Sequence, residues 1–321
     1  MPQRLTESSS IFYYESFNNS PIVDDGKSIA DVNSYLDKGY RIDYQAHDPQ
    51  TKTRIAELIG NRETQEDRIA VGEVGRFVLL NEESRLHVLQ STIQDLQNSI
   101  DPTQHSGSTL CATVLCGATL YTVNVGDSLS FLVTRDNEKK IKFVQLNSKL
   151  HNITSKNVGK LRKQGIKIGK DAYGTYRLLN SVGLPSINMF RAMGDNEYEQ
   201  SGMSHQPDIY VTSVKIPSGG DAFVIGACDG LTESLSNKQI RYLLSKYNKV
   251  SHKQLAEILA VTAYNKGSGD NITVIITPVE ALSATKYIAI FDGHGGYQIA
   301  KHLHENFHLV FLKNLEKCLK S

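Results

Sequence analysis

The chain has 321 residues, 40% of them hydrophobic and 21% charged, and its 35 Lys and Arg against 34 Asp and Glu leave a formal net charge of +1. A disordered chain has fewer apolar residues and a larger charge imbalance, and no run here approaches the ~18–20 apolar residues of a spanning helix. So even a balance gives no global footprint for nucleic acid or an anionic membrane, the start MPQRLTESSS lacks the layout of a secretory signal, and the expectation is a globular cytoplasmic protein.

Residues 1–55 are polar and weakly periodic apart from Phe12, Tyr13 and Tyr14, and read as an N-terminal extension with one strand and one short helix. An acidic segment, Arg62-Glu63-Thr64-Gln65-Glu66-Asp67, precedes a strand at 69–71. Leu86, Leu89, Ile93 and Leu96 recur at helical spacing and predict a helix over 85–98. Short apolar, β-branched runs follow at 109–116, 119–125, 130–134 and 141–146, separated by turn residues such as Gly117-Ala118 and Gly126-Asp127, which describes an antiparallel meander. The stretch 149–188 is basic through Lys156, Lys160, Arg162, Lys163, Lys167 and Lys170. It reads as a solvated face that also draws acidic or phosphorylated substrate loops.

Beyond it, apolar strands at 222–227, 272–277 and 287–291 alternate with helical stripes. These are Ile240, Leu243, Leu244 and Tyr247, then Leu255, Ile258 and Leu259, then Ile299, Leu303, Phe307 and Phe311. Strands in blocks with helices between them predict an α+β protein with one catalytic domain over 56–321. Cys111 and Cys116 lie five apart in a strand and so face opposite ways, while Cys228 and Cys318 stand alone. No zinc spacing or disulfide framework is present, and the thiols read as buried.

The acids fall repeatedly at strand ends beside glycine. Asp127 follows Gly126, Asp229 precedes Gly230, Asp270 follows Gly269, and Asp292 opens Asp292-Gly293-His294-Gly295-Gly296. One Asp-Gly pair is an ordinary turn. Several at apparent strand ends, together with Glu66 and Asp67, point to carboxylates that converge. Such groups repel one another unless cations hold them. All-oxygen ligand sets suit Mg²⁺ or Mn²⁺ rather than zinc, so the pattern predicts a two-metal hydrolytic centre.

With these segments the sequence resembles the metal-dependent Ser/Thr phosphatases of the protein phosphatase 2C family. The matching stretches are RETQED (62–67), GSTLCATV (107–114), NVGDS (124–128), RAMGD (191–195), ACDGL (227–231), GSGDNITVI (267–275) and FDGHGG (291–296). The resemblance implies a four-layer α-β-β-α sandwich of two antiparallel sheets flanked by helices. It also implies two Mg²⁺ or Mn²⁺ ions, with a weaker third site in some members. By position, Asp292 is similar to the carboxylate that bridges both metals, with the Gly293 carbonyl beside it. Glu66 matches a ligand of one metal, and Asp229 and Asp270 ligands of the other. Asp127 with Asp229 matches the third site, and Asp67 the residue that orients the attacking water. Arg62 resembles the phosphate-binding arginine and His294 the general acid, while Asn271 supports the ligands. The implied reaction is hydrolysis of phosphoserine and phosphothreonine in proteins by direct attack of a metal-bridged hydroxide, with the leaving oxygen protonated by His294.

One departure from the family is large. Asp292 and its glycines follow every other motif, whereas the family places that unit directly after the arginine-glutamate-aspartate segment. This reads as a strand-turn-helix unit transposed to the C-terminus. Residues 278–286 give room for a local connection, and sequential strands usually neighbour one another, so the unit is expected to complete the site of its own chain in a monomer. The rival arrangement donates it to a second chain by domain swapping. Two other functions compete with the phosphoprotein phosphatase: a pseudophosphatase serving as a binding module, and a metallohydrolase of small phosphoesters. The first would lack a ligand, and every ligand type is present; the second shares the same metal chemistry. There is no P-loop or dinucleotide fingerprint.

Overall fold

The computed structural model describes residues 11–12, 42–43, 52–280 and 285–320. Most of the expected extension, Tyr13 and Tyr14 and its short helix included, lies outside the described residues, as does 281–284 of the connection before the last strand.

Ten strands form the body: β1 (Arg54–Leu58), β2 (Arg68–Glu73), β3 (Leu110–Cys116), β4 (Thr119–Val125), β5 (Leu129–Arg135), β6 (Ile141–Gln145), β7 (Asp208–Ser213), β8 (Asp221–Ala227), β9 (Ile272–Pro278) and β10 (Lys286–Phe291). They make two antiparallel sheets, ordered β2-β10-β3-β4-β7 and β1-β9-β8-β5-β6. Two-residue strands at Ile11–Phe12 and Ile42–Asp43 extend them along β2 and β1. The long helices are α1 (Glu82–Ser99), α2 (Asn237–Lys246), α3 (His252–Asn265) and α4 (Gln298–Lys320). Among the described residues no helix is long and apolar enough to cross a membrane.

Strand periodicity sorts the apolar residues into layers. In β10, Tyr287, Ala289 and Phe291 join the core under α1 and α4, while Ile288 and Ile290 face the second sheet. In β8, Phe223, Ile225 and Ala227 pack with α2 and α3, while Ala222 and Val224 fill the space between the sheets. A strand covered on both faces reads as a continuous apolar run, because neither face meets water. The layers are therefore helix, sheet, sheet, helix, as the α+β expectation has it. Side-chain caps fix the helix starts: Asn81 accepts from the Ser84 N–H at 2.8 Å before α1, and Ser236 and Ser251 form capping boxes with Gln239 and Gln254.

Sequence reading underestimates β1, which pairs with β9 and spans the expected division between residues 55 and 56. It also omits β7, the half-exposed edge of the first sheet. The expected adjacency of β9 and β10 is corrected. Both edges of β9 are taken by β1 and β8, so the chain crosses to the first sheet and enters between β2 and β3.

The basic stretch folds as a flap over 151–204, with strands Ile168–Lys170, Tyr176–Leu179 and Pro185–Ile187 around Ile153, Leu161, Leu178 and Met203. Lys170 and Arg162 lie over the Tyr176 ring, whereas Lys156, Lys160, Lys163 and Lys167 are solvated.

One buried acid lies away from the strand ends. Glu257 of α3 is 3% exposed, and burial pushes its carboxyl up to about 7. In the unfolded chain it titrates in the ordinary carboxylate range, so the fold loses stability as pH rises from that range through about 7. Glu257→Gln should raise stability at pH 8 by on the order of 1–2 kcal/mol and leave it nearly unchanged near pH 4, as read from urea unfolding.

Candidate active site

The site occupies the end of the sandwich where β2, β5 and β9 begin and β4, β8 and β10 finish. Antiparallel pairing alone brings these ends together. β10 supplies the central contact: the Thr109 N–H donates to the Asp292 carbonyl at 2.8 Å, and the Asp292 N–H donates to Thr109 Oγ1 at 3.2 Å. Thr109 Oγ1 in turn shares a hydrogen bond of 2.7 Å with Ser128 Oγ, which ties the Asp292 turn to the Asp127 turn.

Gly293 touches the segment before β2 so closely that a Cβ would stand 2.6 Å from the Glu66 carbonyl oxygen. Only glycine permits that approach. Asn271 holds the same segment from the other sheet. It accepts from the Glu66 N–H at 2.8 Å and donates to the carbonyls of Ile59 at 2.8 Å and Thr64 at 3.0 Å. Asp67 is buried, and the Thr273 hydroxyl donates to its Oδ2 at 2.6 Å. Asp229 begins a one-turn helix, with its N–H 3.5 Å from Asp292 Oδ2.

The electrostatics are those of anions packed together. Burial first, then the charges of Asp229, Asp67, Asp127 and Asp270, hold the Asp292 carboxyl well above the usual carboxylate range. Burial, then Asp127, Glu233 and Asp270, does the same for Asp229. Burial is also the main reason that Asp67 and Asp127 are pushed up to about 6. Buried oxygens of three of these groups, Asp67 Oδ1, Asp127 Oδ1 and Asp229 Oδ1, have no hydrogen-bond partner. Buried acceptors without donors are rare and ask for a cation or water. Oxygen donors of this kind suit a hard divalent ion.

Each residue expected at the site from the sequence lies at this end of the molecule. Arg62 does not point freely outward: its Nη2 donates to Asp270 Oδ2 at 2.5 Å. The guanidinium's pKa is raised because Asp270, Glu66 and Asp229 together outweigh the opposing effect of burial. His294, partly exposed, lies against the buried Asp195, with Nε2 and Oδ2 2.6 Å apart. Burial lowers its affinity for a proton, but Asp195, Asp127 and Glu66 reverse that and raise its pKa.

Three residues join that sequence reading leaves without a role. Glu233 lies one helical turn after Asp229, and its own carboxyl is raised by burial and by Asp270. The offset of four from Asp229 is the signal that finds it. It lines a cleft of about 350 Å³ with Asp127, Asp229, Asn152 and Asn188, between the acids and the base of the flap. Cys228 Sγ, Asp67 and Asp292 offer atoms within 4.8 Å of one another. Burial, then Asp67, Asp292 and Asp229, pushes the thiol well above its ordinary value, so it stays uncharged among the anions. Asp195 is the third, and no local pattern marks it as the partner of His294.

A family model described as Protein phosphatase 2C matches residues 41–272. The chain is 28% identical over 197 residues to the integrin-linked kinase-associated serine/threonine phosphatase 2C of Bos taurus, covering 57% of this chain and 50% of that one. It is 29% identical over 184 residues to protein spalten of Dictyostelium discoideum, covering 55% and 18% of the two chains. The chain thus spans half or less of these relatives' lengths. Among solved structures, a serine-threonine phosphatase 2C from Toxoplasma gondii superposes with a TM-score of 0.53 at 17% identity, covering 74% of this chain and 96% of that one. A sex determining protein of C. elegans superposes with a TM-score of 0.50 at 16% identity, covering 85% and 74%. At such identities the likeness is one of fold.

Asn271→Ala should lower stability by about 1–3 kcal/mol in urea unfolding, because it leaves the partly buried Glu66 N–H and two carbonyls without their partner. The same substitution should weaken Mn²⁺ binding measured by calorimetry, since it frees the segment carrying Glu66 and Asp67.

Proposed function

The chain belongs to the protein phosphatase 2C family, and from that premise we propose that it hydrolyses phosphoserine and phosphothreonine in protein substrates with the help of Mg²⁺ or Mn²⁺. The observation that carries this reading is the convergence of Glu66, Asp67, Asp127, Asp229, Asp270 and Asp292 around buried oxygens that have no partner. Acids so placed destabilise one another unless divalent charge offsets them. The family match ends at residue 272, before the Asp292 unit, which supports reading that unit as displaced from the family's usual order.

Glu66, Asp292 and the Gly293 carbonyl would hold one ion, and Asp292, Asp229 and Asp270 the other. Asp127, Asp229 and Glu233 would hold a third. Held there, two such ions would lower the pKa of a bound water and offset the charge of a phosphoryl group. Asp67 Oδ1 is free to accept from the attacking water. Arg62 offers a planar fork that suits paired phosphate oxygens, so substrate competes with Asp270 for it. His294, held 2.6 Å from Asp195, donates a proton to the departing serine or threonine oxygen.

Phosphatase activity on a phosphoserine peptide should require Mn²⁺ or Mg²⁺, vanish with EDTA and fall at least ~100-fold in Asp292→Asn. Activity that survives both treatments would sink the metal reading. His294→Ala should slow the phosphoserine peptide by ~10²-fold or more and slow p-nitrophenyl phosphate much less, since a nitrophenolate leaves without protonation. Equal losses on the two substrates would remove His294 from the role of acid.

A further inference from the structure

A short ladder runs beside the acids. Met193–Gly194 pairs with Gly107–Ser108, which pairs on its other edge with Gly293–His294. Asp195 and His294 are thus attached to the two outer strands, separated by the strand that carries Gly107. Their side chains nevertheless meet, with His294 Nε2 2.6 Å from Asp195 Oδ2. They meet because Gly107 has no side chain: a Cβ there would stand 2.3 Å from Asp195 Oδ2 and 2.3 Å from His294 Nε2.

Several details hold Asp195 in this place. Its side chain is 2% exposed. Its N–H donates to the Ser106 carbonyl at 3.3 Å. Its backbone is left-handed, with φ of 51°, a conformation that Asp and Asn adopt more readily than most residues. On the other side of the imidazole, Nδ1 is buried and has no partner. One ring nitrogen is therefore fully engaged and the other is left for something not yet bound.

We propose that Asp195 is a positioning residue for the phosphatase reaction, holding Nε2 of His294 so that Nδ1 is the atom presented to the leaving oxygen. The proposal rests on the reading of His294 as the acid. In the step it serves, water adds to phosphorus and releases its proton to solvent. The bond from phosphorus to the serine or threonine oxygen breaks, and that oxygen takes the proton from Nδ1. The ring ends neutral, with its Nε2–H still donated to Asp195. A carboxylate that takes one N–H of an imidazole fixes the direction of the other nitrogen and the tautomer that remains.

Asp195→Asn keeps the volume and tolerates the left-handed backbone, so it tests the contact without emptying the site. With Mn²⁺ present, its kcat on a phosphoserine peptide should fall ~10–100-fold with KM within ~2-fold, while kcat on p-nitrophenyl phosphate falls less than ~3-fold. Placed in His294→Ala, it should cost nothing further, because its partner is gone. Independently of turnover, the metal-free wild type should show a far-downfield imidazole N–H proton resonance that is missing from both Asp195→Asn and His294→Ala. Equal losses on the two substrates, additive losses in the double variant, or absence of that resonance from the wild type would overturn the proposal. If His294→Ala itself slows both substrates equally, the acid reading fails and this proposal falls with it. If His294→Ala discriminates between them and Asp195→Asn does not, the positioning role alone is wrong.

Discussion

The pairing of β10 on both of its edges sets the geometry of the whole catalytic end. Ile290 lies opposite Ile69 of β2 and opposite Cys111 of β3, and β2 and β3 have no pairing of their own. Backbone hydrogen bonds of an antiparallel ladder fix register to the residue, since a slip of one would turn Ile288 and Ile290 from the intersheet core toward the helices. That register, continued through Thr109, decides where Asp292 stands relative to Glu66 and Asp127. The carboxylates converge because strands converge, and their own repulsion is overruled by the three apolar layers that the strands bury.

That arrangement has an energetic consequence. Asp67, Asp127, Asp229 and Asp292 are all displaced from the ordinary carboxylate range in the direction that disfavours charge. A protein selected for stability alone would place apolar side chains there. Clusters of perturbed acids at strand ends are a mark of chemistry for that reason. Arg62 brings a cation into the group through its bond to Asp270. Asn271 contributes no charge but links the two sheets across the acids, so it keeps the segment carrying Glu66 and Asp67 from being pushed outward.

Much of this was legible from residue types. Continuous apolar, β-branched runs located nearly all the inner strands, because strands covered on both faces carry an unbroken signal, and Asp-Gly pairs marked the ends at which the acids stand. The two strands that escaped are of a different kind. β1 is short and follows a polar stretch, and β7, Asp-Ile-Tyr-Val-Thr-Ser, is a half-exposed edge whose pattern is diluted by solvent-facing residues. The contact of His294 with Asp195 joins positions 99 residues apart through the missing side chain of Gly107, and an absence of atoms leaves no trace in periodicity. The crossing from β9 to β10 departs from sequential neighbouring because adjacency is a tendency that yields when both edges of a strand are already paired.

The place of β10 also bears on how the molecule is assembled. All five strands of the second sheet are made by Pro278, so that sheet can close before β10 leaves the ribosome. The first sheet cannot. Until Phe291 emerges, β2 and β3 present two unsatisfied inner edges to each other and to any other extended chain. Closing that gap joins β10 to β2, more than two hundred residues earlier in the chain, a contact of the long range that slows folding. A chain stalled or cut before β10 would therefore hold a finished sheet beside an open one, with no Asp292 to complete the acids and two adhesive edges in its place.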